Sequence, residues 1–348
     1  MKILADFNLS ELTEELAKFN LPKYKAAQVY KWVLRGVDFD GMTDIDKNTR
    51  NLLKQNFIAV PLDIETKLVS KDKTQKYLYK LYDGNVIEGV LMNYKYGKTL
   101  CVSTQIGCRM GCKFCASTLN GLVRSLTAGE ILAQVIVANR INGGTIEKRE
   151  ITNIVLMGSG EPFDNYENVV KFLKNANAPE GLNISYRNIS LSTCGLVPEM
   201  KAFADLELPV NLTISLHSPY DERRKEIMPI ANKYSIAEIT QAAKYYFEKT
   251  KRRVIFEYTL IEGQNDSEKD ARRLAELVRG FSSHINLIRL NPVKERGLKA
   301  TKEDKAQKFL EMLEKMNVSA TIRRQMGVDI NGACGQLRNS YLEKNAER

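Results

Sequence analysis

Six cysteines, two histidines and one tryptophan stand in a chain of 348 residues. So few cysteines cannot staple a chain of this size into a disulfide scaffold, and a chain this long can bury a sizeable core without them. No run approaches the roughly 18 apolar residues that a membrane span requires, so no membrane association is expected. Met1 to Arg35 alternate charged and apolar positions without an apolar signal core, so secretion is not expected and a cytoplasmic location is. No low-complexity tail, long Pro- or Ser-rich linker or internal repeat interrupts the chain. What is present is ordinary globular composition, 43% hydrophobic and 27% charged, which excludes a disordered or collagen-like chain. Lys and Arg number 52 against 42 Asp and Glu, a surplus of +10 spread along the chain rather than held in one block. That balance favours a polyanionic partner.

The first part of the chain reads as helical. Leu9 to Phe19, Tyr24 to Leu34 and Asn48 to Phe57 each carry apolar residues at three- and four-residue spacing. Residues 76–94 read as a hairpin turning at Asp83-Gly84. Together these suggest a small N-terminal accessory domain over 1–95. From residue 98 the pattern alternates strand and helix. Strands are expected at 98–105, 151–157, 187–193, 210–216, 253–261 and 284–290. Helices are expected at 127–141, 166–175, 197–204, 235–249, 266–279 and 301–316. Thr127 and Glu130 form a capping-box pair at the first of these helices. Six βα units in order imply an α/β fold with a parallel sheet, open or partially closed as a (βα)6 barrel, and a short last strand at 319–323.

Cys108-Arg109-Met110-Gly111-Cys112-Lys113-Phe114-Cys115 is the strongest local signal. Three thiolates in one loop after the first strand suit iron–sulfur or zinc. A structural zinc needs four closed ligands, and the motif supplies three with no histidine nearby. A four-iron cluster held by three thiolates keeps one iron open for a substrate or cofactor. A zinc site completed by Cys101 or another remote residue, and three structural cysteines, are the other readings. Further polar motifs follow the other strands: Gly158-Ser159-Gly160-Glu161-Pro162, Ser192-Thr193-Cys194-Gly195, Ser215-Leu216-His217-Ser218 and Asn291-Pro292. In parallel α/β folds the site lies at the C-terminal rim of the strands. Singly, each motif is ordinary turn chemistry. Jointly, they aim thiols, a carboxylate, hydroxyls, an imidazole and an amide at one rim.

This pattern resembles the radical S-adenosylmethionine (SAM) superfamily, and its details resemble the RlmN/Cfr family of RNA adenine methyltransferases. The similarity runs through Leu100 to Ser103, Gly107 to Thr118, Gly121 to Glu130, Gly160-Glu161-Pro162, Ser215 to Tyr220 with Met228-Pro229-Ile230, Asn291-Pro292-Val293 and Asp329 to Leu337. The helical N-terminus, with Gln28, Trp32 and Met42-Thr43, is also similar. The resemblance implies a partial (βα)6 radical SAM barrel over 96–325 and a C-terminal segment, 326–348, carrying a methyl-acceptor cysteine. It implies that Cys108, Cys112 and Cys115 ligate one [4Fe-4S] cluster. It implies that Gly160 and Glu161 hold the SAM ammonium, and that Ser192, Ser215, Leu216, His217 and Asn291 contact the rest of SAM. Cys334 would accept a methyl group, Cys101 would be a second catalytic thiol and Glu88 a proton acceptor.

The implied reaction methylates C2 of an adenosine in the peptidyl transferase centre of 23S rRNA (adenine 2503) and in tRNA (adenine 37). It uses two SAM molecules per turnover. One methylates Cys334; the other is cleaved to a radical that activates the Cys334 methyl for attack on electron-poor C2. Cys101 then attacks the Cys334 sulfur, releasing product and leaving a disulfide to be reduced. An external electron donor such as flavodoxin or ferredoxin is implied, and a monomer is expected. Cfr-type methylation at C8 is the alternative. Ser159 stands where the family often has Met, Cys194 where Ser is commoner, and Arg289 where the Cfr branch also has Arg. Cys115-Ala116-Ser117-Thr118 resembles the C2-modifying branch.

By residue type alone, Cys101 in an apolar strand reads as core, and Glu88 in a hairpin reads as a solvated acid. Lys67 to Lys80, Lys251-Arg252-Arg253, Lys294 to Lys299 and Arg323-Arg324 are candidates for phosphate contacts, with Tyr77, Tyr79 and Tyr82 as stacking residues. Charged side chains on strand edges ordinarily serve solvation instead.

Overall fold

The computed structural model describes residues 1–330, apart from 292, 294 and 295, together with residue 341. Three amphipathic helices open the chain: α1 (Leu9–Ala17), α2 (Lys23–Leu34) and α3 (Lys47–Asn56). Asn8 and Glu11 cap α1 reciprocally, and Asp46 accepts from the Thr49 N–H at the start of α3. Such caps each contribute about 1 kcal/mol. This helical part docks on the outer helices through Asp6, whose carboxylate accepts from the Gly129 N–H at 2.6 Å.

One ten-stranded sheet then dominates: β1 (Leu62–Val69), β2 (Gln75–Leu81), β3 (Val86–Tyr94), β4 (Gly97–Cys101), β5 (Ile151–Leu156), β6 (Ile189–Thr193), β7 (Asn211–Ser215), β8 (Val254–Leu260), β9 (Ser283–Arg289) and β10 (Ala320–Ile322). Their order across the sheet is their order along the chain. β1 to β4 pair antiparallel, and β4 to β10 pair parallel. Helices α4 (Ala128–Ile141), α5 (Tyr166–Asn177) and α6 (Val197–Asp205) follow β4, β5 and β6; α7 (Asp221–Ile227) and α8 (Ile236–Thr250) follow β7; α9 (Glu268–Leu277) and α10 (Glu303–Lys315) follow β8 and β9. This is the expected α/β fold with six βα units, and the Thr127–Glu130 capping box is present.

Three features differ from the sequence reading. The hairpin β2–β3 is continuous with the large sheet, because Val90 of β3 pairs with Cys101 of β4. β1 was not expected; its residues alternate toward and away from solvent, the habit of an edge strand, and Asp63, Glu65 and Lys67 dilute its apolar signal. Helix α7 was also missed, because its sequence Asp221-Glu222-Arg223-Arg224-Lys225-Glu226-Ile227 offers almost no apolar stripe.

Strand alternation assigns each side chain to one of two faces. Tyr77, Tyr79, Ile87, Leu91, Leu100, Ile154, Leu191, Leu212, Ile214, Phe256, Tyr258, Ile285 and Leu287 join the main core with the helices. Tyr77 and Tyr79 are fully buried there and are not available to stack on RNA, a correction to the sequence reading; Tyr82 is exposed, with the Arg124 guanidinium over its ring. The intervening residues face the other way. Val90, Met92 and Cys101 form a separate apolar cluster on that face, packed by Tyr94, Val155, Met157 and Met326.

Candidate active site

The cysteine loop follows β4 through a short strand, Gln105–Gly107, paired with Leu122–Ser125. Gly107 has φ +78, and a Cβ there would stand 1.9 Å from the Gly121 carbonyl oxygen, so only glycine fits. The Cys108 N–H donates to that same carbonyl at 2.9 Å. Thr118 Oγ1 donates to the Cys112 and Cys115 carbonyls at 3.1 and 2.9 Å, and the Lys113 N–H donates to Ile227 O at 2.9 Å. Arg109 pairs with Asp164, tying the loop to the turn after β5. Ser159 belongs to that turn: its hydroxyl accepts from the Gly107 N–H at 3.1 Å.

The three cysteines line one open cavity of about 250 Å³ with Gly160, Glu161, Ser192, Ser215, His217 and Asn291. These come from the C-terminal ends of β4, β5, β6, β7 and β9, at the rim where parallel α/β folds place their sites. Gly160 has φ +107, and a Cβ would meet Gln105 at 2.6 Å. Glu161 is buried; its Oε2 accepts from Cys194 N–H at 2.8 Å and its Oε1 from Phe163 N–H at 3.1 Å, while burial pushes its carboxyl up. His217 Nδ1 accepts from the Thr259 N–H at 3.0 Å, which puts the ring proton on Nε2. Burial pushes this imidazole down to about 3, so it is neutral. Its ring meets the edge of Phe114, from the cysteine motif, with centroids 4.5 Å apart. Leu216 does not line the cavity: its side chain is in the main core, and its carbonyl accepts from Arg224.

Burial pushes Cys108 up to about 12 and Cys112 and Cys115 upward as well, and neighbouring thiols add to this for Cys108 and Cys112. Deprotonation there needs a cation to offset it, which metal binding provides. Three thiols facing one cavity are a donor set of the kind that holds an iron–sulfur group. All five described cysteines are free thiols, and no disulfide is present among the described residues. Cys334 lies outside them.

Cys101 and Glu88 do not line this cavity. Cys101 is on the cavity side of the sheet, turned from the helix core, and touches the cluster that includes the cavity-lining Met157. Burial pushes its thiol up to about 11. Glu88 is on the same face and is 3% exposed, not solvated as the sequence suggested; Lys76, fully buried, approaches it at 3.4 Å. Lys76 is thereby removed from the candidate phosphate contacts. Val90, two residues along β3 from Glu88, pairs with Cys101, so Glu88 and Cys101 stand on neighbouring strands.

Sequence reasoning missed Glu257 and Arg224, and named Arg323, which lines the cavity, only as a candidate phosphate contact. Glu257 lines the cavity from the middle of β8, accepting from Ser192 Oγ at 3.2 Å and from Arg323 Nη1 at 3.5 Å. A lone acid at an alternating position of the apolar run Val254–Leu260 was the available signal.

Residues 102–275 match the radical SAM superfamily, and residues 3–59 match the ribosomal RNA large subunit methyltransferase N-terminal domain. A probable dual-specificity RNA methyltransferase RlmN of Clostridium perfringens is 51% identical over 346 residues, covering 99% of this chain and 98% of that protein. The chain belongs to the RlmN family. A Clostridioides difficile protein of the same name is 52% identical, covering 97% and 98% of the two chains. The crystal structure of a radical SAM methyltransferase from Sphaerobacter thermophilus superposes with a TM-score of 0.92 at 41% identity, covering 97% and 99%. The RlmN family assignment therefore spans the accessory helices as well as the barrel. Among the described residues no helix is long and apolar enough to cross a membrane.

Proposed function

We propose that this RlmN-family chain is a radical SAM enzyme that methylates C2 of adenosine in 23S rRNA and in tRNA, with Cys334 as the methyl carrier. One observation carries the reading: Cys108, Cys112 and Cys115 share a single cavity with Gly160, Glu161, Ser192, Ser215, His217 and Asn291. The three thiolates would hold a [4Fe-4S] cluster, and the other residues would hold SAM, with the Glu161 carboxylate offering a charge-assisted contact to its ammonium. When bound, these groups supply the transferable methyl and the hydrogen-abstracting chemistry, with two SAM molecules used per turnover and an external donor such as flavodoxin or ferredoxin supplying electrons. The chain's own residues do the rest. Cys334 takes the methyl and becomes linked through that carbon to adenine C2. Glu88 accepts the proton that C2 gives up, while the odd electron left by radical addition would pass back to the bound redox group. Cys101, as a thiolate, attacks the Cys334 sulfur; the sulfur–carbon bond breaks as a disulfide forms, the released carbon takes up a proton to become the C2 methyl group, and reduction resets both thiols. In this reading residues 1–95 are an accessory unit, 96–325 the catalytic core and 326–348 the segment delivering Cys334, in a monomer.

Methylation at C8 is the second reading, prompted by Arg289. That residue pairs with Glu303 at 3.3 Å, while Ile288 and Leu290 line the cavity on either side of it, so it favours neither carbon by contact. Mass spectrometry of RNA modified by the reconstituted enzyme, against 2-methyl- and 8-methyladenosine standards, decides between them. Appearance of 2-methyladenosine is expected; 8-methyladenosine alone overturns the C2 assignment.

A further inference from the structure

Arg224 on α7 is fully buried. Its Nη2 donates to the Cys194 carbonyl at 2.7 Å and the Ser215 carbonyl at 3.2 Å, and its Nε donates to the Leu216 carbonyl at 3.1 Å. Its Nη1 is buried with no hydrogen-bond partner, and no carboxylate among the described residues forms an ion pair with it. Arginine keeps its charge in proteins, and a buried charge without a counter-charge is strongly unfavourable. Burial pushes this guanidinium down from its ordinary range, and the neighbouring Cys194 and Cys112 and then Asp221 act in the opposite sense. α7 also supports the cysteine loop directly, because Ile227 O accepts from the Lys113 N–H at 2.9 Å.

We propose that Arg224 is the buried counter-cation of the iron–sulfur site. It is a positioning residue: it pins the ends of β6 and β7, which carry Ser192 and Ser215, and places a fixed positive charge behind the cysteine loop. The inference rests on the cluster reading above. Three thiolates on an iron–sulfur core make a site of net negative charge, and reduction by one electron makes it more negative. A nearby desolvated cation favours the reduced state, and such charges and hydrogen bonds are what tune cluster potentials. It also explains why a cation survives at a position where an apolar residue would bury more comfortably.

The test is a redox titration of anaerobically reconstituted wild type, R224K, R224M and R224Q, followed by electron paramagnetic resonance of the reduced cluster. R224M should lower the reduced-to-oxidised ratio at least tenfold at a fixed potential, a shift of about 59 mV to more negative values for a one-electron couple. R224K, which keeps the charge, should stay within threefold of wild type. R224Q keeps amide donors for the carbonyls and should shift like R224M, so it carries the test where R224M does not assemble. Loss of the cluster from both uncharged variants with retention in R224K supports the proposal. A wild-type potential in R224M or R224Q overturns it, as does cluster loss from R224K, which would make the role one of shape alone. Zinc without iron in the wild type overturns the cluster reading itself, and this role with it.

Discussion

The Ser192 hydroxyl on β6 donates to the Glu257 carboxylate on β8 across 3.2 Å, bridging over the intervening strand β7. Both residues line the cavity, so the bond orders a polar wall that spans β6 to β8. Arg323, following β10, closes the wall from the far side.

Glu257 should therefore matter for ligand binding. Hydrogen bonds to a charged group are worth roughly 1.5–3 kcal/mol. Glu257→Leu in the cluster-loaded protein is predicted to weaken SAM binding by roughly tenfold to a hundredfold, since each 1.4 kcal/mol is about tenfold. Equilibrium dialysis measures this directly. An unchanged dissociation constant would assign the Ser192–Glu257 contact to packing only.

The metal prediction concerns the cysteine loop. Anaerobic purification should give protein with about four irons per chain, the content of a [4Fe-4S] centre. Cys112→Ala should remove iron and SAM cleavage together. Stoichiometric zinc with no iron after reconstitution would reject the cluster.

Cys101 separates catalysis from packing. As a small buried group, its replacement by Ala should cost little stability, about 1 kcal/mol. If Cys101 releases the product, Cys101→Ala should instead accumulate protein joined covalently to RNA through Cys334. A nuclease-sensitive band above free protein on a denaturing gel reads this out, and the Cys101→Ala/Cys334→Ala double variant should lack it. Normal turnover with nothing trapped would return Cys101 to the role of a packing residue.

His217 makes a pH prediction. Its pKa is held at about 3 in the folded protein by burial, against 6.5 as the ordinary value. The unfolded chain therefore binds the extra proton between these values. Stability from this group is complete above pH 6.5 and falls as pH drops below it, with a slope of up to about 1.4 kcal/mol per unit. Burial lowers His284 too, giving a contribution of the same sign. The readout is thus the difference between wild type and His217→Asn in urea unfolding from pH 7 to 4.5. Asn tolerates the φ of +57 found at this position. A variant with the same pH slope as wild type would show that His217 is not buried in the neutral form.

The sequence by itself determined the alternation of strands and helices, the Thr127–Glu130 cap, the cysteine loop and the placing of polar motifs at strand ends. Those signals are local: periodicity, capping and turn chemistry act over a few residues, so they can be read without knowing what packs where. Glu161 and Ser192 could be named for the same reason, since each follows a strand in a parallel series. Only the tertiary structure decided which faces meet. Strand register turned Cys101 away from the helix core and buried Glu88 against Lys76, where a hairpin acid would ordinarily be wetted. It also sent Tyr77 and Tyr79 into the core and brought Glu257 to Ser192 from 65 positions along the chain. Arg224 on a highly charged helix reads as a solvated residue, and becomes a buried cation only because α7 closes over the ends of β6 and β7. Burial and charge pairing arise from contacts distant in sequence, and no local pattern carries them.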